Sequence, residues 1–405
     1  MSSRFKGGVV SATPPTITGP TDGEGGSTSG IWYMTNVLSE EGGSTWPKAP
    51  LPRQAWGWGE NSAGQLGIGD SADKSSPVQI GSLITWANIT SANTHTLLVK
   101  TDGTLWVHGD GSDGKLGTGN TTSVSSPVQV GSLTNWESTG SAYNSSIAVK
   151  TDGTLWAWGA NDHGQVGDGS TTVRSSPVQI GELTNWATAD MGTYHAFATK
   201  DDGTLWSWGR NRYGQLGVGD TTSYSSPVQV GSLTTWLLAR AGTYEVYAIK
   251  TDGTLWCFGR NTYGQLGQSN TTHYSSPVQI GSVSTWATAS GGEGGFAAIK
   301  EDGSLWVCGD SESGRTGQGN TTDVSAMTQV GSLTTWYKVS YGARFTASLK
   351  TDGTLWTWGY AGQGGLGHGN TTSLSSPVQV GSLTSWTVIP ASSSLGQGRT
   401  YIKSS

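Results

Sequence analysis

Apolar residues recur along this chain at a fixed spacing. Trp106, Trp156, Trp206, Trp256, Trp306 and Trp356 form one column at 50-residue intervals, with Trp56 as a seventh member. Trp86, Trp136, Trp186, Trp236, Trp286, Trp336 and Trp386 form a second. Such a period marks an array of supersecondary units, each too small to bury its own apolar faces. Within a unit, Ile147 to Lys150 leads into Thr151-Asp152-Gly153-Thr154 and then Leu155-Trp156-Ala157-Trp158. An Asp-Gly pair between two apolar runs is a strong hairpin signal, and it recurs from Asp102-Gly103 to Asp352-Gly353. The pattern predicts a third strand at Pro177 to Gly181, where Pro suits a strand start or an edge, and a fourth around Trp186. Four antiparallel strands would make one small sheet per unit.

Neither parity of Leu155-Trp156-Ala157-Trp158 is polar, so each sheet needs cover on both faces. Radial stacking supplies it, and the expected fold is an all-β, seven-bladed β-propeller spanning residues 53–405. Both Trp columns are expected to set the spacing between blades, with any Trp→Ala change costing about 3–5 kcal/mol. The array opens mid-unit at Arg53-Gln54-Ala55-Trp56 and closes at Arg399-Thr400-Tyr401-Ile402-Lys403. One blade should therefore combine two strands from each end, which removes exposed sheet edges.

Composition narrows the function classes. The 63 glycines among 405 residues, 34% apolar and 12% charged content fit a turn-rich globular chain. A net charge of −6 with no Lys/Arg cluster argues against nucleic acid as a partner. Cys257 and Cys308 are too few for a disulfide framework and read as buried thiols. No stretch reaches transmembrane length and no signal peptide is recognisable at Met1-Ser2-Ser3-Arg4-Phe5-Lys6, so neither membrane insertion nor secretion is expected. The Asn-x-Ser/Thr triplets at Asn120, Asn270, Asn320 and Asn370 follow the repeat and read as unglycosylated loop residues.

Trp58-Gly59-Glu60-Asn61-Ser62-Ala63-Gly64-Gln65-Leu66-Gly67-Ile68-Gly69 resembles the signature of the regulator of chromosome condensation repeat family, and it recurs almost intact around Gly209 and Gly259. The resemblance covers residues 53–405 and implies a seven-bladed propeller. Function is not implied so closely, because the family includes nucleotide exchange factors, ultraviolet photoreceptors and ubiquitin-ligase modules. The exchange factors' wedge has no counterpart within the strict period. The photoreceptor-type Gly-Trp-Arg-His-Thr loop reads Gly192-Thr193-Tyr194-His195-Ala196. His95 and His195 keep the family's His, and a structural role supporting their loops is expected for both.

Residues 1–52 are of another kind, a Gly/Ser/Pro-rich extended arm carrying isolated large residues: Phe5, then Ile31-Trp32-Tyr33, then Trp46-Pro47. These pieces resemble short segments of tailed-bacteriophage structural proteins. Aromatics in a stretch unable to form a core suggest docking on something. The arm is accordingly expected to attach to other virion proteins, with packing on its own propeller as the alternative.

The copies diverge most at Glu60 to Ala63 and its equivalents, and at the loops holding Asn93, Asn144, Tyr194, Tyr244, Glu293 and Arg344. Both sets are expected at the end opposite the near-uniform Asp-Gly turns, giving one uniform and one diversified face. The richest sector holds Arg210, Arg212, Tyr213, Tyr224, Arg240, Tyr244, Arg260, Tyr263, His273 and Tyr274, rich in the Tyr and Arg that anchor interfaces. A host-surface glycan or protein could bind there.

No phosphate loop, His-Glu-x-x-His or Cys-x-x-Cys is present. Asp110-Gly111-Ser112-Asp113-Gly114 lacks the distal Glu of a calcium loop. Neither catalytic residues, a metal nor a cofactor are expected. The leading expectation is a non-enzymatic phage virion appendage, assembled in the host cytoplasm. A cytoplasmic interaction scaffold of the same repeat family is the alternative, and a glycan-hydrolysing propeller the third.

Overall fold

The repeated Thr-Asp-Gly-Thr-Leu-Trp segment forms a hairpin held by a side-chain relay. In one copy, strand Ser145–Lys150 pairs antiparallel with strand Leu155–Gly159. Asp152 Oδ1 accepts hydrogen bonds from the amide of Thr154 (3.0 Å) and its hydroxyl (2.6 Å), and Thr154 Oγ1 accepts from Nε1 of Trp156 (2.9 Å). Gly153 takes φ 77°, and a Cβ there would lie 2.1 Å from the Thr184 carbonyl oxygen. The left-handed turn and the close backbone approach both require glycine.

The computed structural model describes residues 53–82, 85–390 and 399–404. These form seven four-stranded antiparallel sheets arranged as a β-propeller. Six sheets are continuous in sequence, and each begins at a Trp of the second column: Trp86–Ser91, His95–Lys100, Leu105–Gly109 and Val124–Gln129 make the first. The blades are named below by that first Trp. The seventh sheet takes Trp386–Val388 and Arg399–Ser404 from one end of the array, and Arg53–Gly59 and Lys74–Gln79 from the other. Tyr401 stacks on Trp58 across that junction, with ring centroids 4.1 Å apart.

Two details differ from the sequence expectation. The Trp186 strand, expected to complete its unit's sheet, instead starts the next one, because it pairs with His195–Lys200 across a tight turn. Strand Arg174–Gln179 places Pro177 inside it and not at its start. It is the outermost strand of its sheet, where a missing amide donor can face solvent. The first strands of neighbouring blades pack on one another around the axis.

The Trp columns also divide the work differently from expectation. Second-column members are buried, but those of the first are only half-buried. The ammonium groups of Lys100, Lys150, Lys200, Lys250, Lys300 and Lys350 lie 3.6–3.9 Å from the ring centroids of the first-column Trp residues six positions on. Each such cation–π contact contributes about 0.5–1 kcal/mol. Blade-to-blade packing is shared by the second column, as expected, and a third, partial column. Trp158, Trp208 and Trp358 are fully buried, and their Nε1 atoms donate to the carbonyl oxygens of Lys115, Gln165 and Arg315 in the preceding blade. Around Trp158 and Trp136 pack Leu97, Val99, Leu105 and Val107 of the neighbouring blade.

Candidate interaction surface

The loop joining the third and fourth strands of a blade is built on a buried asparagine. Asn211 Oδ1 accepts from the Leu216 amide (3.0 Å), while its Nδ2 donates to the Asp220 carbonyl (3.0 Å). Gln215 Oε1 accepts from the Tyr213 amide (2.8 Å). Asn261 and Gln265 repeat the arrangement in the Trp236 blade. Gly214, at φ 76°, lets the loop meet the next blade, since a Cβ would lie 2.4 Å from the Cα of Ser275. Because backbone polar groups are satisfied from inside, side chains between the anchors are free to vary. The Arg210 amide donates to the Tyr194 carbonyl (2.8 Å) and the Arg260 amide to that of Tyr244 (3.0 Å), which sets the two variable loops of each blade side by side.

Seven of the ten candidate residues come together there. Tyr213 meets Tyr244 edge-on at 5.5 Å and His273 at 5.2 Å. The Arg260 guanidinium lies 5.4–5.7 Å from the rings of Tyr213, Tyr244 and Tyr263, and that of Arg212 lies 5.5 Å from Tyr213. Arg210 joins through Tyr194, 5.3 Å from its guanidinium, and Tyr194 stacks on Tyr244 at 6.1 Å. Tyr194 and His163, whose rings meet at 5.0 Å, belong to the surface but were absent from the expected sector. Tyr194 shares its column with Tyr244, which was the available signal.

The remaining three lie elsewhere. Tyr224 and Tyr274 open outermost strands and are engaged with their own loops, the Tyr224 hydroxyl donating to Asp220 (2.9 Å) and that of Tyr274 accepting from Asn270 (3.0 Å). Arg240 sits in the innermost strand Trp236–Ala241, not in a loop, where it interacts electrostatically with Asp190 of the preceding blade. Burial raises the pKa of Asp190 while Arg240 opposes the rise.

Beneath Tyr244 lies a fully buried carboxyl. Glu245 occupies the column of His95 and His195, and its Oε2 accepts from the Tyr244 amide (2.9 Å). Burial pushes its pKa up to about 8, against the Tyr244 amide and the Arg260 charge, while Glu293 adds to the rise. His95 and His195 are buried and pushed down to about 3 by desolvation, so both are neutral rings. His95 Nε2 lies 3.0 Å from Ser146 Oγ of the next blade.

In the Asp110 loop, Lys115 Nζ lies 2.6 Å from Asp110 Oδ2 and so holds the carboxylate that a calcium ion would need. Burial alone would raise the Asp110 pKa, but hydrogen bonds from Lys115 and Ser112 hold it well below the usual range. Among the described residues no group of three or more His, Cys, Asp or Glu is placed to hold a metal. Cys257 and Cys308 are buried free thiols whose pKa values burial raises, that of Cys308 to about 12. No helix among the described residues is long and apolar enough to cross a membrane. The arm residues Phe5, Ile31, Trp32, Tyr33, Trp46 and Pro47 lie outside the described residues.

Comparison with protein families matches six segments to the regulator of chromosome condensation (RCC1) repeat, at residues 54–99, 102–149, 152–199, 202–249, 252–299 and 352–394. The chain belongs to this repeat family. The segment between residues 299 and 352, which the family model leaves out, carries Ser311 and Thr316 in place of the Asn and Leu of the signature. No curated protein matches. Among solved structures, Prp20p from Saccharomyces cerevisiae aligns at 17% identity and TM-score 0.76, covering 88% of this chain and 92% of that one. Yeast RCC1 (Prp20) bound to Kap60 gives 16% and 0.77, covering 97% and 96%. Human WBSCR16 gives 19% and 0.77, covering 87% and 99%. At these identities the likeness extends to the fold.

Proposed function

We propose that this RCC1-repeat chain is a non-enzymatic protein-interaction module whose partner docks on the loop face of the Trp186 and Trp236 blades. The observation that carries the reading is the joined Tyr and Arg surface from Tyr194 to Tyr263, displayed on loops whose backbone amides are held by buried Asn and Gln side chains. Prp20p is described by its binding to Gsp1p and histones, and yeast RCC1 by its complex with Kap60. Partner binding on an RCC1-type propeller is thus consistent with this use of the fold. The virion-appendage reading rests on the repeat together with residues 1–52, which lie outside the described residues, and none of the matched proteins above carries a name that refers to a virion. The interaction module is therefore preferred.

The test is site-specific photo-crosslinking of the full chain in extract of its source cells. A benzophenone side chain replaces Tyr263, 42% exposed on the loop face, or Leu233, 44% exposed beside the Asp-Gly turns. A discrete protein adduct from position 263 and none from 233 is expected. Adducts from 233 alone, or from neither position, would overturn the proposal.

A further inference from the structure

Two columns of the third-to-fourth strand loops show what this surface selects. Asp110 and Asp310 are each paired within their own loop, to Lys115 at 2.6 Å and to Arg315 at 2.5 Å. In the Trp186 and Trp236 blades both charges are gone from those places. Arginine stands where the acid would be, at Arg210 and Arg260, and neutral Gln215 and Gln265 stand where the base would be. The two glutamines turn inward and serve the loop backbone. Among the described residues no carboxylate lies within ion-pair distance of Arg210, Arg212 or Arg260. Glu293 acts on Arg260 from farther off and is shared with Arg315 and Arg344.

The outcome is a set of guanidinium groups without a close ion-pair partner among the described residues, on a chain of net charge −6. Arg210 and Arg260 lie within cation–π distance of tyrosine rings, at 5.3 and 5.6 Å, which limits their conformational freedom. Arg260 Nε donates to Thr262 Oγ1 (3.0 Å), which leaves its terminal N–H edge for a planar anion. A carboxylate matches such an edge with two parallel hydrogen bonds. Between the arginines, the stacked pair Tyr194 and Tyr244 offers an apolar floor for the backbone or side chains of a peptide.

Resting on the interaction-module reading, we infer that the docked segment is an acidic peptide of a partner protein, with carboxylates seated on Arg210 and Arg260. Electrostatic matching of this kind governs encounter and partner choice. It also makes binding sensitive to salt.

The probe is a fluorescent twelve-residue peptide of Glu and Gly with one central Tyr, titrated by anisotropy into the full chain. Binding is expected for this peptide and not for its Gln-for-Glu counterpart. Combining Arg210→Gln with Arg260→Gln should weaken it roughly tenfold or more. Arg174→Gln, which disturbs a pair with Asp168 in the Trp136 blade, should change it less than about twofold. Equal binding of the Glu and Gln peptides, no binding of either, or an unaltered double variant would overturn the inference. Cross-linking from position 263 keeps the two ideas apart. An adduct that survives Arg210→Glu with Arg260→Glu would leave the docking face standing and remove the acidic partner. Acidic-peptide binding without any cellular adduct would do the opposite.

Discussion

The two ends of the propeller's blades are built by opposite rules. At the Asp-Gly end the repeated side chains engage one another: Asp holds Thr, Thr holds Trp, and Lys caps the Trp ring. Even the exposed apolar positions repeat there, as Leu133, Leu183, Leu233, Leu333 and Leu383. At the loop end of the Trp186 and Trp236 blades the backbone is held by buried Asn and Gln, and the outward Arg and Tyr between those anchors differ from the residues at the same places in other blades. A duplicated unit can therefore diversify at one end only. Sector identity, such as the arginines of two adjacent blades, can arise where replacement costs no stability.

Substitutions can break this contrast in order of size. Trp208→Ala, at a fully buried ring bonded to the preceding blade, should lower stability by about 3–5 kcal/mol in urea unfolding. Trp206→Ala, at a half-buried ring, should cost clearly less. Equal losses would show that the Asp-Gly end is as much core as the blade interface.

Glu245 tests whether the loop end is free of strain beneath its surface. Its folded pKa of about 8 exceeds the ordinary 4.5, so the folded state holds the proton more tightly. That contribution is fully present below about pH 4.5 and is lost as pH rises through 8. The melting temperature of Glu245→Gln relative to the parent chain should thus rise between pH 5 and 8. A constant difference across that window would show that Glu245 does not titrate there.

Asn211→Ala leaves buried backbone groups of the loop unpaired and should cost about 1–3 kcal/mol. Asp202→Ala removes bonds from a more exposed turn and should cost about 1 kcal/mol. Arg210→Gln and Arg260→Gln should each shift stability by less than about 0.5 kcal/mol in the same assay. A larger loss from either would mean that the loop-end arginines are structural, and the contrast would fail.

Much of this arrangement was legible in the sequence, for reasons that are local. The Asp-Gly turn and the 50-residue register place a hairpin, its neighbours and the mixed closing sheet without reference to side-chain contacts. Column position alone could not separate a strand end from a loop, so Arg240 was grouped with surface residues although it ends on an inner strand. Nor could it show that Trp106 and its column are shielded by lysines, because that contact joins residues across a turn. Tyr194 was placed on the diversified face but not in the sector, because its partner Tyr244 is 50 residues away and only stacking of adjacent blades brings the two rings together.

The mixed closing sheet has a mechanical consequence. Arg53 lies directly opposite Ser404, and the ladder continues through Gln54 with Lys403 to Trp58 with Arg399. Tension applied between residues 53 and 404 would therefore pull on one rung at a time, because the hydrogen bonds of an antiparallel pair run across the strands. The ring would peel open like a zipper from that end, at far lower force than shearing all rungs together would need. Load entering and leaving through one side of the array would bypass the seam and leave the ring shut.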